Sequence, residues 1–430
     1  MMTLVRCARA IVQGSERRDY AFLVENGRIS ECGNTGELAA RYPDAEVQSH
    51  GEEVIVVPGF VNGHSHAYQI LLRGWADDLP FARWRKDALY RVVPQLTPQQ
   101  IYDTFVVAFD EMLGAGITTV AEFFYLNGAG NAHAEAAIRA ARDTGIRLVF
   151  ARTWMDASYA PPEFRESIDD AQQRTDALMR QYPEANVCVA PHSLHAASHD
   201  MIRAAHAFAR EKDCMFHIHV AEAPYEGRET LEKFDATPVR LLEKLGVLDE
   251  RTIAIHAIYV DAEEKALLGR RNARVVHNAM TNQYLGDGIC DVVGLRENGV
   301  IVGLGTDADV KPSLIEEMRA AALLQKLRAL DGSALGAARA FEMATAEGAR
   351  ALGFVLAGLI SGAFADYVTI EASGIDAWSP PLNALVYRGE NAWVRETYVG
   401  GRRVRERVRS ERSETSARAL AAILPLLHLP

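Results

Sequence analysis

Two histidines near the start of the chain have the spacing of metal ligands. His64 and His66 come directly after a short apolar stretch, in the order His-Ser-His. Side chains two positions apart in an extended segment point to the same side, so both imidazoles can face one metal ion. On its own this pair is a weak signal, because histidines at this spacing also arise by chance.

Further residues of the same kind strengthen the signal. Six of the 13 histidines lie just after an apolar run of the sequence, at His64, His66, His192, His219, His256 and His277. Asp307 ends one more such run, in the stretch Gly303–Asp307. Imidazole nitrogens with one carboxylate and an open position are typical of catalytic zinc, as opposed to structural zinc. The sequence therefore predicts a catalytic zinc centre; the alternative is a set of core or surface histidines that bind no metal.

Two acidic residues in this set have the chemistry of proton transfer. A metal ion lowers the pKa of a bound water from about 16 to about 7, which makes hydroxide available at neutral pH. Asp307 would bind the metal and also accept the proton of that water. Glu222, three residues after His219, would lie beside the metal without binding it, which suits a general acid. The alternative for Glu222 is an exposed loop carboxylate.

The sequence leaves two alternative roles for each of the remaining two histidines. His256 is either a fourth imidazole ligand or a hydrogen-bond donor at the metal. We favour the donor, because four imidazoles and one carboxylate would crowd a single zinc ion. His277 is either a substrate contact or a structural histidine.

The elements that position these residues are read from eight short apolar runs separated by helix-like segments. The predicted strands are 59–62, 117–121, 147–151, 187–190, 215–220, 252–255, 274–276 and 300–303. Eight such units over roughly 300 residues indicate an α/β fold, a (β/α)8 TIM barrel, with its active site at the carboxyl ends of the strands. An open doubly wound sheet has a similar rhythm, but no glycine-rich dinucleotide motif follows the first strand.

Both ends of the chain have the pattern of β-structure. Asn26–Gly27 predicts a hairpin turn, and strands are expected at 365–370, 384–387 and 393–399. We expect 1–57 and 357–410 to form a small β-sandwich domain, 58–356 the catalytic barrel, and 411–430 a C-terminal helix.

Composition narrows the classes of partner. The net charge is −11, from 46 basic and 57 acidic residues, which argues against nucleic acid as a partner. The five cysteines are scattered, are odd in number and form no Cys-x-x-Cys motif, which predicts a reducing compartment without disulfides. No signal-peptide pattern and no apolar run of membrane-spanning length is present. We expect a cytoplasmic protein with a small-molecule substrate and no membrane partner.

Taken together, these motifs resemble the amidohydrolase superfamily. The resemblance rests on four motifs: Val57–His66 (VPGFVNGHSH), the pattern His219-x-x-Glu222, His256, and Gly305–Asp307. They are most similar to its mononuclear zinc deaminase branch. The resemblance implies one zinc ion (iron in some members) on His64, His66, His219 and Asp307, with Glu222 and His256 in proton transfer. It also implies a homodimer.

Within that branch two groups compete. Motifs around Gln69, Arg85, Tyr125 and His192 resemble N-formimidoylglutamate deiminase, in which these positions line the substrate site. Where that family has an arginine for a substrate carboxylate, this chain has His195, and a neutral imidazole binds carboxylate more weakly than a bidentate guanidinium does. The stretch His277–Asn282 instead resembles a motif of deaminases acting on aminopurines, pterins and S-adenosylhomocysteine.

The leading hypothesis is therefore a metal-dependent hydrolytic deaminase that releases ammonia from an amidine-like carbon, of the N-formimidoylglutamate deiminase type. The first alternative is a deaminase of an aminated heterocycle. The second is a chlorohydrolase or amidase, in which only the leaving group differs. A protein that keeps the fold without catalysis is the remaining possibility, and the completeness of the ligand and acid set argues against it.

Overall fold

The computed structural model of the chain describes residues 2–75, 78–308, 311–407 and 414–428. Residues 411–413 and 429–430 of the expected C-terminal helix lie outside the described residues. Five strands precede the barrel: β1 (Thr3–Val12), β2 (Ser15–Glu25), β3 (Arg28–Asn34), β4 (Glu46–His50) and β5 (Ile55–Pro58). The predicted hairpin joins β2 to β3, and both turn residues, Asn26 and Gly27, have the positive φ angles that such a turn requires.

Eight parallel strands form the barrel, and each matches one predicted apolar run. They are β6 (Phe60–Ser65), β7 (Ile117–Phe124), β8 (Arg147–Trp154), β9 (Cys188–Pro191), β10 (Phe216–Val220), β11 (Thr252–His256), β12 (Arg274–His277) and β13 (Ile301–Leu304). They pair in sequence order from β6 to β13. The circle closes where the Thr306 N–H donates to the His64 carbonyl at 3.0 Å and the His66 N–H donates to the Asp307 carbonyl at 2.7 Å.

Three further strands complete the second sheet: β14 (Tyr367–Ile370), β15 (Val394–Val399) and β16 (Arg402–Glu406). The sheet order is β16-β15-β14-β5-β1-β2-β3, with β4 also paired to β1. Because β14 lies antiparallel to β5, strands from the two ends of the chain share one connected mixed sheet. The predicted barrel with a small β domain built from both chain ends is confirmed.

Most helices connect or follow the barrel strands, and three lie in the chain segments around the second sheet. The first nine are α1 (Thr35–Arg41), α2 (Phe81–Trp84), α3 (Tyr90–Val92), α4 (Pro98–Gly114), α5 (Ala132–Thr144), α6 (Ile168–Gln181), α7 (His199–Lys212), α8 (Pro224–Phe234) and α9 (Pro238–Leu245). The others are α10 (Ala262–Arg270), α11 (Ala279–Leu285), α12 (Val292–Glu297), α13 (Leu314–Ala329), α14 (Ala337–Met343), α15 (Ala346–Ala351), α16 (Pro381–Arg388) and α17 (Glu414–Ile423). None of the described helices is long and apolar enough to cross a membrane.

Local signals set several of these boundaries. Helix α4 starts at a capping box, in which the Gln100 N–H donates to the Thr97 hydroxyl and the Gln100 side chain accepts from the Thr97 N–H. One predicted strand, 384–387, is wrong, because these residues lie in α16. Pro381 occupies its first turn, where the fixed φ of proline favours a helix. The apolar residues Ala384, Leu385 and Val386 are buried where α16 packs against α13 and α14.

Candidate active site

Five polar side chains meet at the carboxyl ends of the barrel strands. His64 lies in β6, His66 directly after it, His219 in β10, His256 at the end of β11, and Asp307 shortly after β13. All five residues are buried, with at most 5% of their surface exposed. The barrel thus brings together every residue predicted for the metal and its proton acceptor, although they are spread over more than 240 positions of the sequence.

The distances among these side chains are those of a ligand set. One nitrogen or oxygen from each of His64, His219, His256 and Asp307 lies within 4.8 Å of the others. His64 Nε2 is 3.2 Å from Asp307 Oδ1 and 3.2 Å from His219 Nε2. His66 Nε2 lies 3.6 Å from the same Asp307 oxygen. His66 and His256 therefore both border the centre.

Hydrogen bonds on the far side of three imidazoles fix their orientation. Nδ1 of His66 donates to the Phe123 carbonyl at 2.7 Å, and Nδ1 of His219 donates to the His192 carbonyl at 2.8 Å. Because a carbonyl can only accept, Nδ1 carries the proton and Nε2 presents its lone pair to the centre. Nδ1 of His256 lies 3.0 Å from the side-chain oxygen of Asn282 and 3.4 Å from the Asn278 amide nitrogen, and these contacts fix the orientation of that ring.

These residues fit one zinc ion. Imidazole nitrogens with a single carboxylate oxygen are the donor set of catalytic zinc. Burial lowers the pKa of His64, of His66 to about 3, and of His219, so the rings are neutral, as metal ligands must be. Nε2 of His256 is buried with no hydrogen-bond partner among the described residues, and it points to the same centre.

Glu222 lies beside the centre and is held there by its backbone. One carboxylate, that of Glu226, accepts hydrogen bonds from the N–H groups of Ala221, Glu222 and Ala223 at 3.0–3.1 Å. This fixes the turn after β10 and leaves the Glu222 carboxyl 3.6 Å from His256 Nε2. Burial, with the nearby carboxylates of Glu226 and Asp307, raises the pKa of Glu222 well above its ordinary value. Its acid form is therefore available at neutral pH.

Asp307 has the opposite electrostatic character. Burial by itself would raise the pKa of this carboxyl, but the hydrogen bond with His64 and the nearby His256 ring outweigh it and lower the pKa. The pKa values of these two neighbouring carboxyls are thus displaced in opposite directions. Pairs whose environments separate their pKa values in this way divide acid and base roles between them.

A cavity opens from the centre toward the rim of the barrel. It is lined by the catalytic candidates Glu222, His256 and Asp307, and by Gln69, Arg85, Tyr125, His192 and His195. Gln69 donates to the Tyr125 hydroxyl at 2.9 Å. His277 is not among the described residues that line the cavity; it is 1% exposed and its Nδ1 lies 3.5 Å from the Asn282 amide nitrogen. The geometry therefore places His277 beneath the site.

Sequence reasoning missed the aromatic wall of this cavity. The wall consists of Phe81, Trp84, Tyr90, Tyr159 and Phe164. The guanidinium carbon of Arg85 lies 5.6–5.7 Å from the rings of Phe81, Tyr90 and Tyr159. These residues come from the segments that follow β6 and β8, where Phe81 and Trp84 lie in α2 and Tyr90 in α3. Aromatic clusters in the long segments after barrel strands were the available signal.

Comparisons with known proteins agree with this geometry. Residues 55–404 match the Amidohydrolase family, and residues 21–45 match an imidazolonepropionase-like composite domain of bacteria. A 5'-deoxyadenosine deaminase of Methanothermobacter thermautotrophicus is 32% identical over 90% of this chain and 89% of its own. A 5-methylthioadenosine/S-adenosylhomocysteine deaminase of Halothermothrix orenii is 29% identical over 88% of each chain.

A crystal structure of an adenosine deaminase from Xanthomonas campestris with bound zinc has a TM-score of 0.90, with 26% identity over 99% of both chains. These relatives are named for adenosine-type substrates, so the expected likeness to N-formimidoylglutamate deiminase is not supported by them, whereas the likeness to aminoheterocycle deaminases is. The match over most of the chain, together with the barrel and its metal centre, shows that this protein is a member of the amidohydrolase family.

Proposed function

We propose that the protein is a zinc-dependent hydrolase that deaminates the aminated ring of an adenosine-type nucleoside. Water replaces the amino group on the ring carbon, so that a C–N bond breaks, a C–O bond forms and ammonia leaves. The observation that carries this proposal is the position of the Glu222 carboxyl, which lines the cavity 3.6 Å from His256 Nε2 and whose pKa is raised by burial.

In this proposal His64, His66, His219 and Asp307 hold the metal. When bound, zinc lowers the pKa of a water from about 16 to about 7. Asp307 accepts the proton of the attacking water, and His256 Nε2, 3.9 Å from Asp307 Oδ2, donates a hydrogen bond to the developing negative charge. Glu222 protonates the ring nitrogen next to the attacked carbon, and Asp307 passes the proton that it took from the water to the departing amine. The new C–OH group then returns its proton to Glu222 as the ring carbonyl forms.

The shape and lining of the cavity favour a planar ring. Its wall of aromatic side chains offers faces on which a heterocycle stacks, and ring faces pair well in offset or edge-on arrangements. The few polar groups, among them Gln69, His192 and His195, are then available to hydrogen-bond the heteroatoms of the ring.

One observation supports the second candidate, an acyclic N-formimidoylglutamate-type substrate. The guanidinium of Arg85 borders the cavity and forms no ion pair with any described residue, so it is available to a substrate anion. His195 contributes no positive charge next to it, because burial lowers its pKa to about 4. A dicarboxylate would therefore find one strong anchor here.

A screen for ammonia release separates the two candidates. The zinc-loaded protein is incubated with 5'-deoxyadenosine, 5'-methylthioadenosine, S-adenosylhomocysteine and N-formimidoylglutamate. We expect turnover of adenine nucleosides and little of the formimino compound. Restoring an arginine with His195→Arg is then expected to harm nucleoside turnover, because it places an unpaired charge against an aromatic face. Turnover of N-formimidoylglutamate alone, improved by His195→Arg, would overturn the proposal.

A further inference from the structure

The cavity at the metal centre continues into a larger outer chamber at the barrel rim. The two share Phe81, Arg85, Tyr159 and His195. The inner cavity has a volume of 90 Å³ and the outer chamber 670 Å³. Because one water needs roughly 10–15 Å³ of such space, the inner cavity holds only a few water-sized groups. Any substituent of a larger substrate must extend into the outer chamber.

Most charged side chains of the outer chamber already have partners. The Glu226 carboxylate accepts three backbone N–H groups, and Glu229 forms an ion pair with Lys233 at 3.0 Å. Asp287 differs from both. Its Oδ2 is buried and has no hydrogen-bond partner among the described residues, and the residue is only 7% exposed. Arg85 forms no ion pair with it in the described part of the chain.

The backbone holds Asp287 firmly in the chamber wall. Its N–H donates to the Asn282 carbonyl at 2.9 Å, and its own carbonyl accepts from the Tyr259 hydroxyl. The flanking glycines, Gly286 and Gly288, have φ angles of 71° and 138°, which lets the chain turn tightly on both sides of the residue. The position of the carboxyl therefore follows from the fold and does not depend on a partner side chain.

Other carboxyl groups lie near Asp287. Burial and the nearby carboxyls of Glu222 and Asp307 raise its pKa to about 8. A buried carboxyl without a partner is unfavourable, and a cation brought by a ligand removes that cost through a charge-assisted hydrogen bond.

We propose that Asp287 binds a protonated amine on the part of the substrate that extends into the outer chamber. This inference rests on the deaminase function proposed above. It makes Asp287 a specificity-determining residue, which acts on the affinity for the distal group and not on the chemistry at the ring carbon. The substrate class is then an aminated heterocycle whose substituent carries an ammonium group.

A pair of substrates that differ only in the amine tests this inference. The pair is S-adenosylhomocysteine and its analogue in which hydrogen replaces the α-amino group. Ammonia release gives kcat and KM for the zinc-loaded wild type, Asp287→Asn and Asp287→Ala. The matched control is Glu229→Gln, which removes a carboxylate that already has a partner in the same chamber. Calorimetry with the two deaminated products, in which inosine replaces adenosine, measures the preference for the amine as a difference in binding affinity and needs no turnover.

We expect the wild type and Glu229→Gln to prefer the amine-bearing compound by about 10- to 100-fold, through KM. Both Asp287 variants should reduce that preference to less than about threefold. Equal values of kcat/KM for the two substrates in the wild type would overturn the inference, as would a preference that survives in Asp287→Asn. If no adenine nucleoside releases ammonia, the proposed function is wrong. In that case calorimetry alone tests the inference, and equal or undetectable affinity for the two deaminated products would overturn it.

Discussion

At the scale of single residues, the metal centre combines uncharged imidazole rings with strained backbone conformations. Four residues other than glycine have left-handed φ angles at the ends of the site strands: Ala221 at 54°, His256 at 73°, Ala257 at 46° and Asp307 at 54°. Such conformations cost on the order of 1–3 kcal/mol each and persist only where the surrounding structure enforces them. Here the barrel enforces them, and they turn the chain so that imidazole and carboxylate face one point.

The acid role of Glu222 gives the first prediction. Glu222→Gln removes the transferable proton while keeping the size of the side chain, so kcat should fall by on the order of 10²–10⁴. Metal content should stay at the wild-type level, because Glu222 is not a proposed ligand. Ammonia release and elemental analysis of the same samples check both statements, with Glu229→Gln as the control. Loss of metal together with activity would make Glu222 a ligand.

The second prediction separates His66 from His256, since both rings border the centre. Removing a ligand weakens zinc binding, whereas removing a hydrogen-bond donor leaves it. We expect His66→Ala and His64→Ala to lose most of their zinc and all activity. His256→Gln should keep about one zinc per chain and still turn over slowly. Zinc retained by His66→Ala but lost from His256→Gln would reverse the two assignments.

The residues at strand ends were predictable because metal chemistry uses few residue types, and a barrel places its active site at one end. The groups that orient them were not predictable. The backbone carbonyls of Phe123 and His192 accept two of the orienting hydrogen bonds. Every residue has a backbone carbonyl, so the sequence does not show which ones act in this way. Asn282, which orients His256, acts across 26 positions of the chain, and that proximity exists only after folding.

At the scale of elements, the closure between β6 and β13 sets the geometry of the centre. A Cβ atom on Gly305 would lie 2.8 Å from the His64 carbonyl oxygen and 2.9 Å from the His64 nitrogen. Glycine is therefore required two residues before Asp307, because the two backbones approach closely there. The strands also extend further than the apolar runs predicted: β6 includes His64, since its last residues are buried in a polar site and not in an apolar core.

Gly305→Ala tests that closure. The added methyl group must push β13 away from His64, so we expect about 1–3 kcal/mol of lost stability together with weaker zinc binding. Urea unfolding and zinc titration measure the two effects. Gly332→Ala is a matched control, because a Cβ there meets no atom within 4 Å. Wild-type zinc affinity in Gly305→Ala would show that the close approach does not position the ligands.

Helix α16 shows why one element was predicted wrongly. Its short apolar run, 384–386, fits a buried strand and a helix face equally well, because periodicity cannot separate the two over so few residues. Packing against α13 and α14 decided the outcome, and that contact joins segments about 60 positions apart. A longer segment such as α4, with 17 residues, contains enough repeats for its periodicity to indicate a helix.

At the scale of the whole molecule, the two chain ends share one sheet, and a partly buried ion pair is among the contacts that tie it to the barrel. Arg147, at the start of β8, donates two hydrogen bonds to Asp366 at 2.7 and 2.9 Å and lies 3.6 Å from the Phe364 ring centre. Asp366 also accepts the Gly400 N–H at 2.7 Å. The β domain thus packs under the strands that carry the site, and its stability is coupled to theirs.

The buried histidines make the stability of the metal-free protein depend on pH. Ten of the 13 histidines have pKa values below the ordinary 6.5, led by burial, among them His195 at about 4 and His277 at about 3. In the unfolded chain each titrates near 6.5. Below that pH the unfolded state binds more protons than the folded state, so acid favours unfolding.

The buried carboxyls act in the opposite direction, but they are fewer. Burial raises the pKa values of five carboxyls, those of Asp103, Glu222, Glu226, Asp287 and Glu317. As the pH falls, these groups therefore bind protons at a higher pH in the folded state than in the unfolded chain. Their protonation favours folding as the pH falls toward about 4. Since the shifted histidines outnumber them, the net effect of acid between pH 6.5 and about 5 is destabilising.

The last prediction follows from this balance. After zinc removal by a chelator, the free energy of unfolding should be highest above pH 6.5 and should decrease as the pH falls toward 5, with each histidine contributing at most about 1.4 kcal/mol per pH unit. Urea unfolding at pH 7.5, 6.5, 5.5 and 5.0 measures the slope. His195→Gln removes one of these histidines, and glutamine does not titrate. The free energy of unfolding of this variant should therefore depend less steeply on pH, by the contribution of one histidine. A free energy of unfolding that stays constant over this range, or increases toward pH 5, would contradict the assignment of neutral, buried histidines around the site.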